Sequence, residues 1–568
     1  MQRYFLIFSI IFLSYLLLIN YNPPQDESSS DSSLNDSEYS QLIQEEAFVS
    51  RDDIIEDEVF LLEETCSTNN LFLISNDVWK IKIDLPSGKI SYLELTDYPK
   101  TSGSSENKLL LNECGLERYS HTSGFAFLDK TIDSDSLFKL SENYKDGLNN
   151  VYVFEKKSDD LLFKKFISFE SKDYLLKIKD TVQNLSPEEI KLAAYSKLDR
   201  SAEVVESKGS GFTDPSSFAY LGPAFRTEEE NYVKVPFNDI QEDKFKQSSS
   251  DGWAAILQHY FLSSIVPEPG KNYVYQAKQK RSGDFSVGIV GETSVLRPDE
   301  SFVFDHKFYS GPKIQSELIK AHPELYLAVD YGFLWWIGQP MYQAMNFFFN
   351  LVGNWGWSII LVTILIKVLL WPLSYVSYKN MGKMREVQPL LKDIQERYAD
   401  DRQALSKAMM DLYKKEKVNP ALGCLPMILQ LPFFLAFYWV LIETVELRYA
   451  PFLFWISDLS ARDPLFILPI LNTLAMWGMQ QLQPQPVGTD PIQVNVFKYM
   501  PFIFGVLFAF FPAGLVLYWF MNSLVSAIQM YMHGPKKSVS YTHLRAHEPP
   551  EHRGLRGGGV KKKGGGGG

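Results

Sequence analysis

The stretch Trp355-Gly-Trp-Ser-Ile-Ile-Leu-Val-Thr-Ile-Leu-Ile-Lys367-Val-Leu-Leu-Trp-Pro-Leu373 holds a single charge in an otherwise apolar run. At about 1.5 Å of rise per residue, a helix of this length can cross a bilayer core, which takes roughly 20 residues. An ionised side chain near the middle of such a helix costs roughly 2.5–3.5 kcal/mol on insertion scales. That cost calls for a polar cavity, a partner or a substrate in front of Lys367. Thr363 lies one turn earlier on the same helical face, so the polarity continues as a stripe. This segment alone leaves a second reading open, in which the lysine stem snorkels to headgroups near the Tyr375 end.

Away from this helix the chain divides into unlike halves. The mean hydropathy of −0.13 averages a polar, mixed region at 22–330 with a region at 331–533 dominated by long runs rich in Phe, Trp and Leu. The net charge of −12 has a local origin: between Asp26 and Glu64 there are fourteen acidic residues against the lone Arg51. Residues 22–70 have too little apolar surface to offset chain entropy and are expected to form an acidic disordered linker. The acidity therefore says nothing about the partners of the folded parts. Before the linker, Met1-Gln-Arg3 precedes an apolar run to Tyr21 with no small-x-small cleavage site, so residues 1–21 are expected to be an uncleaved signal anchor. Cys66, Cys114 and Cys424 have no metal-ligand spacing. Unpaired thiols are expected, with one Cys66–Cys114 disulfide the most that could form.

Residues 71–330 carry strand patterns. Asp77 to Asp84 alternates apolar and polar residues, Pro86-Ser-Gly88 supplies a turn, and Lys89 to Leu95 alternates again. Similar runs at 151–155, 163–169, 174–182, 190–197, 272–279 and 286–291 predict a large antiparallel β-sandwich. His121, His259 and His306 have no ligand spacing and read as ordinary surface or core histidines.

Residues 331–533 read as a helical membrane unit. Residues 333–349 predict an interfacial amphipathic helix. Spans are expected at 355–375, 423–442, 465–482, 498–511 and 514–532. The segment 376–419 carries ten Lys/Arg, whereas 443–464 carries only Arg448 and Arg462. The positive-inside rule puts 376–419 in the cytoplasm, and counting spans back places the β domain outside, with both termini cytoplasmic. Met381, Met384, Val387, Leu391 and Ile394, then Leu405, Met409 and Leu412, recur at helical spacing and predict a cytoplasmic hairpin. Its methionines suit an adaptable contact surface, and a plain spacer is the alternative.

Neither a phosphate-cradling glycine loop, a nucleophile–histidine pair nor a metal cluster is present in the sequence pattern, so no enzymatic activity, cofactor or metal is expected. Glu443 and Glu446 are expected at the membrane interface near Arg448. Polar residues within or beside the spans are Thr363, Lys367, Gln430, Asn472, Thr473, Asn522 and Ser523. Each alone is an ordinary helix-packing residue; together with Lys367 they could line a wet groove. The five spans contain no Asp or Glu, which weighs against an ion-coupled transporter.

Ordered strings across 329–533 resemble the YidC/Oxa/Alb membrane protein insertases, specifically the Gram-negative YidC type. They include Val329-Asp-Tyr-Gly-Phe-Leu-Trp335, Val352-Gly-Asn-Trp-Gly-Trp-Ser-Ile359, Met384-Arg-Glu-Val-Gln-Pro389, Gly423-Cys-Leu-Pro426, Val445-Glu-Leu-Arg448 and Phe511-Pro-Ala-Gly-Leu-Val-Leu-Tyr518. The likeness of the β domain is weaker, mostly around 77–99 and 320–335. The resemblance implies an α+β inner-membrane protein: an N-terminal anchor helix, a periplasmic β-sandwich domain, and a five-helix transmembrane insertase core with a cytoplasmic helical hairpin. It also implies a positively charged groove lined by Lys367, Thr363, Gln430, Tyr518, Trp519, Asn522 and Ser523, with hairpin contacts at Met381, Met384, Arg385 and Met409. Lys367 stands where the family has arginine, and Trp519 falls on the family's functional tyrosine beside Tyr518. Implied partners are nascent membrane proteins, the Sec translocon, membrane lipids, and the ribosome with the signal-recognition-particle pathway, with no nucleic acid contacted except through the ribosome. A secondary transporter or channel using Lys367 as an ion or substrate site is the alternative, and an envelope assembly factor is a third reading. In the tail, 534–568, the string after about residue 537 resembles adapter read-through and is expected not to be native.

Overall fold

The computed structural model describes residues 70–533 apart from 101–103, 116, 128–135, 203–218, 243–244, 399–400, 420 and 484–490. The expected anchor, nearly all of the acidic linker, Cys66 and the tail lie outside the described residues. Two compact units are present. One holds the described residues up to Leu365 with Gln430–Thr473 and Phe502–Met521; the other holds Ile366–Leu429, Leu474–Pro501 and the described residues from Asn522.

In the first unit, alternation becomes strand pairing. Trp79–Asp84 buries Trp79, Ile81 and Ile83, and its partner Ile90–Pro99 joins it through the pair Ile83–Ile90. The turn between them needs Gly88, whose φ is +72° and where a Cβ would meet the Phe138 ring at 2.9 Å. All strands pair antiparallel in two sheets of ten and nine strands. Central to the first sheet are Tyr119–Phe127, Ile190–Arg200 and Phe285–Gly291. Central to the second are Phe261–Pro267, Ser301–Pro312, Leu175–Asn184 and Leu161–Glu170. Trp79, Phe154, Phe169, Tyr275, Phe285, Phe304, Phe308 and Tyr309 are fully buried. Each such phenylalanine stabilises the fold by roughly 1.5–3 kcal/mol relative to exposure.

The core also encloses a polar network. Lys165 Nζ meets Asp180 Oδ1 at 2.7 Å and donates to Ser123 Oγ at 2.8 Å, while Ser123 Oγ donates to Asp180 Oδ2 at 2.7 Å. His121 Nε2 bonds Ser196 Oγ at 2.9 Å, and its ring stacks on Phe308 at 4.0 Å between centroids. His306 lies 5.9 Å from His121 between ring centroids and is buried, which pushes its imidazole down to about 3. Cys114 is disulfide-bonded, which corrects the expectation of an unpaired thiol there.

Contacts within this unit join the β domain to the helical region. Lys313 Nζ and Glu443 Oε2 form an ion pair at 3.2 Å, the two side chains 1% and 2% exposed. Tyr342 OH donates to Glu446 Oε1 at 2.6 Å, and His259 Nε2 donates to the Ile442 carbonyl at 3.0 Å. Arg448 Nη2 donates to the Pro99 and Lys100 carbonyls, each at 3.1 Å. Glu443, the last residue of α5 (Ala421–Glu443), is therefore a buried ion-pair partner.

Eight helices follow among the described residues. They are α1 (Trp335–Val352), α2 (Trp355–Leu369), α3 (Trp371–Arg397), α4 (Arg402–Lys415), α5 (Ala421–Glu443), α6 (Ile467–Leu482), α7 (Pro491–Phe508) and α8 (Ala513–His533). Gly353, with φ +66°, ends α1 by returning its N–H to the Phe349 carbonyl. The expected span 355–375 is corrected. The helix breaks at Leu370 with a bend of 68°, because Pro372 opens α3, where it lacks an N–H and its ring crowds a continuing preceding turn. By length and hydropathy, α8 and the bent α2–α3 pair qualify as membrane spans among the described residues. The apolar stretches of α5 and α7, Ile428–Glu443 and Asn495–Phe508, are shorter.

In the second unit α3 and α4 pack as a hairpin. Val387, Leu391 and Val418 form its core with Met384, Met409, Leu412 and Tyr413 against them. Asp401 caps α4 by accepting from Gln403 N at 2.9 Å and Ala404 N at 3.0 Å. Met384 and Met409 thus serve the hairpin's own core, Met381 is half-buried, and Arg385 and Met410 are exposed.

Two outcomes follow from the buried charges. His306 is neutral when folded and titrates near 6.5 when unfolded, so its contribution is complete above about pH 6.5 and falls as pH drops toward 3. Denaturant unfolding at pH 7.5 and pH 5 should show a His306→Phe variant losing about 2 kcal/mol less than the parent; equal losses would contradict this. Lys313→Met strands a buried carboxylate and should destabilise by roughly 3–5 kcal/mol, whereas adding Glu443→Leu should restore most of the loss. Thermal unfolding of the full chain in detergent checks the pair, and no recovery in the double variant would refute the ion-pair account.

Candidate functional site

Lys367 sits two residues before the end of α2 and is 3% exposed. Its Nζ donates to Ser526 Oγ on α8 at 2.7 Å. Ser526 Oγ in turn donates to the Asn522 carbonyl one turn back at 2.8 Å, and the Tyr378 side chain also bonds Ser526. Lys367, Tyr378, Asn522, Ser523, Ser526 and Gln529 all belong to the second unit. Ser523 is buried and Asn522 half-buried, one residue apart on α8. One hydrogen bond of the ammonium thus goes to a neutral hydroxyl.

Thr363, Gln430, Tyr518 and Trp519 belong to the first unit. Thr363 is buried, and its hydroxyl donates to the Ile359 carbonyl of its own helix at 2.7 Å. Thr363 lies four residues before Lys367 in the sequence of α2. Tyr518 is 1% exposed and hydrogen-bonded with Gln430. Aromatic rings wall the tyrosine: Phe437 at 4.9 Å and Phe434 at 6.0 Å between centroids. Trp519 packs on Phe434 at 4.5 Å and on Phe508 at 4.9 Å, and its buried indole N–H meets no acceptor among the described residues. The hydroxyl therefore stands at Tyr518 and an apolar aromatic face at Trp519.

The sequence reading missed Ser526, Tyr378 and Gln529. Gln529 is 2% exposed, and neither atom of its amide finds a partner among the described residues. The signal was present as spacing: Asn522, Ser526 and Gln529 recur at four and three residues along one helix face. Among the described residues no group of three or more His, Cys, Asp or Glu is arranged to hold a metal.

Comparison with known proteins matches both halves. Residues 72–344 match the model of the YidC periplasmic domain, and residues 347–538 that of the 60Kd inner membrane protein family. The chain is 39% identical over 474 residues to the membrane protein insertase YidC of Shewanella halifaxensis, covering 81% of this chain and 85% of that one. It is 40% identical over 472 residues to the Pseudomonas putida protein of the same name, covering 82% and 83%. With the Hahella chejuensis protein of that name it shares 36% identity over 568 residues, covering 93% and 96%. A crystal structure of an active YidC insertase with its first transmembrane domain resolved is similar at 18% identity, covering 82% of this chain and 93% of that one with a TM-score of 0.37. The chain belongs to the YidC family of membrane protein insertases, inner-membrane proteins with a periplasmic domain.

Proposed function

We propose that the helical region receives the polar tail of a nascent membrane protein in a positively charged hydrophilic groove and releases the apolar segment sideways into lipid. Lys367 carries this reading: a buried ammonium on an apolar helix, bonded at 2.7 Å to the neutral Ser526, in a set of spans without Asp or Glu. A polar tail crossing hydrocarbon loses its hydration, and a fixed cation offsets part of that cost for a carboxylate. The tail's carboxylate displaces the serine hydroxyl, a stronger acceptor replacing a weaker one. Asn522 and Ser523, one turn before Ser526 on α8, supply further polar contacts for the tail. The rings around Trp519 face the apolar segment, which then partitions into lipid by hydrophobic transfer.

Lysine at position 367 attracts a carboxylate as a point charge, without the two-pronged grip of a guanidinium. The basic loop at 376–419 supports a cytoplasmic hairpin, whose exposed Arg385 and Met410 offer contacts for the ribosome, the signal-recognition-particle pathway or the Sec translocon. Insertion proceeds alone for short tails or together with the Sec translocon.

In liposomes containing the purified chain, Lys367→Ala should reduce insertion of a single-span substrate with an acidic tail roughly tenfold, the equivalent of ~1.4 kcal/mol. The same substrate with a neutral tail should lose much less, and Lys367→Arg should retain both. Identical losses for the two tails would remove charge attraction from the mechanism.

A further inference from the structure

Beyond the groove, the β domain holds a second cluster of cations. Arg200, the last residue of strand Ile190–Arg200, is 7% exposed. Its guanidinium lies 4.9 Å from the Tyr119 ring centroid, and its Nε and Nη1 are buried without a hydrogen-bond partner among the described residues. Lys108, on strand Asn107–Asn112, is within electrostatic reach of both Arg200 and Arg448; burial first, then those two guanidinium groups, holds its ammonium below the usual lysine range. Arg448 Nη2 donates to the Pro99 and Lys100 carbonyls and the guanidinium lies 5.3 Å over the Phe261 ring, while its Nη1 is buried and meets no acceptor among the described residues. Lys100 is already paired with Glu106 at 3.0 Å. The carboxylate that acts on both Arg200 and Lys108 is Glu117, which is exposed and forms no ion pair with either among the described residues.

Arg200 and Arg448 thus both act on Lys108, and three of their guanidinium nitrogens meet no acceptor among the described residues. A buried unpaired guanidinium is costly, and a bound anion removes that cost. Lys108 follows Asn107, which pairs with Pro99, whose carbonyl accepts from Arg448; Arg200 pairs with Tyr119, which pairs with Asn112 on the strand of Lys108. A multi-oxygen tetrahedral anion satisfies these donors better than a single carboxylate, and guanidinium forks fit phosphate oxygens. Arg448 follows Glu443, the last residue of α5, by five residues, so this neighbourhood adjoins the end of an apolar helix. We infer that Lys108, Arg200 and Arg448 form a binding site for an anion of phosphate chemistry, either free phosphate or the phosphodiester of a lipid headgroup. With a lipid as its source, the site ties the base of the β domain to the headgroup layer.

Thermal unfolding of the delipidated full chain in detergent tests this, with inorganic phosphate compared against chloride at equal ionic strength and, separately, with soluble short-chain phosphatidylglycerol. A rise of several degrees is expected for the parent with at least one probe, and loss of that rise in Arg200→Met and in the half-exposed Lys108→Gln. Comparing shifts rather than absolute midpoints keeps the test valid if Arg200→Met is itself more stable. A rise with phosphate identifies the free ion; a rise with phosphatidylglycerol alone identifies the lipid. No rise with either probe, or equal rises in parent and variants, would overturn the site.

Discussion

An ammonium group buried in the last turn of an apolar helix must find polar company, and that demand shapes the surroundings of Lys367. Lys367 finds it in Ser526, whose hydroxyl passes the hydrogen bond back to the carbonyl of Asn522. A hydroxyl is a weak counterpart for a full charge. The pairing holds the cation in a defined place. The side chain is buried in contact with Ser526.

The β domain treats its charges in the opposite way. Lys165 is locked to Asp180 and Ser123, and Lys313 to Glu443, with both ion pairs almost wholly buried. Such pairs add little net stability over apolar packing, and breaking one partner is expensive. Their effect is positional. Lys313 lies just past the last strand and Glu443 closes α5, so this pair registers the β domain on the helix end. Tyr342 with Glu446, and His259 with the Ile442 carbonyl, repeat that contact around it.

Much of this was legible in the residues. Strands with one wet face, such as Trp79–Asp84 and Leu161–Glu170, announced themselves by alternation. Trp253–Leu257 and Phe261–Pro267 did not, because every residue is buried and a period of two leaves no trace. Tyr119–Phe127 was hidden for another reason: Ser120, His121 and Ser123 look like loop residues until their interior partners are known. Hydropathy found the helices, but the break at Leu370 followed from Pro372 and was passed over. Lys367 was conspicuous because its cost is large. Ser526 and Gln529 were not, because a serine or glutamine in a helix is common and only the geometry shows what it faces. The disulfide at Cys114 depends on spatial proximity that spacing does not encode.

The most direct measurement is reconstitution of the purified chain into sealed liposomes, followed by addition of a single-span protein with a short acidic tail. Protection of that tail from external protease, without nucleotide and without leakage of small solutes, is the result this account predicts. Solute flux with no protected tail would contradict it and return Lys367 to the role of a transport site.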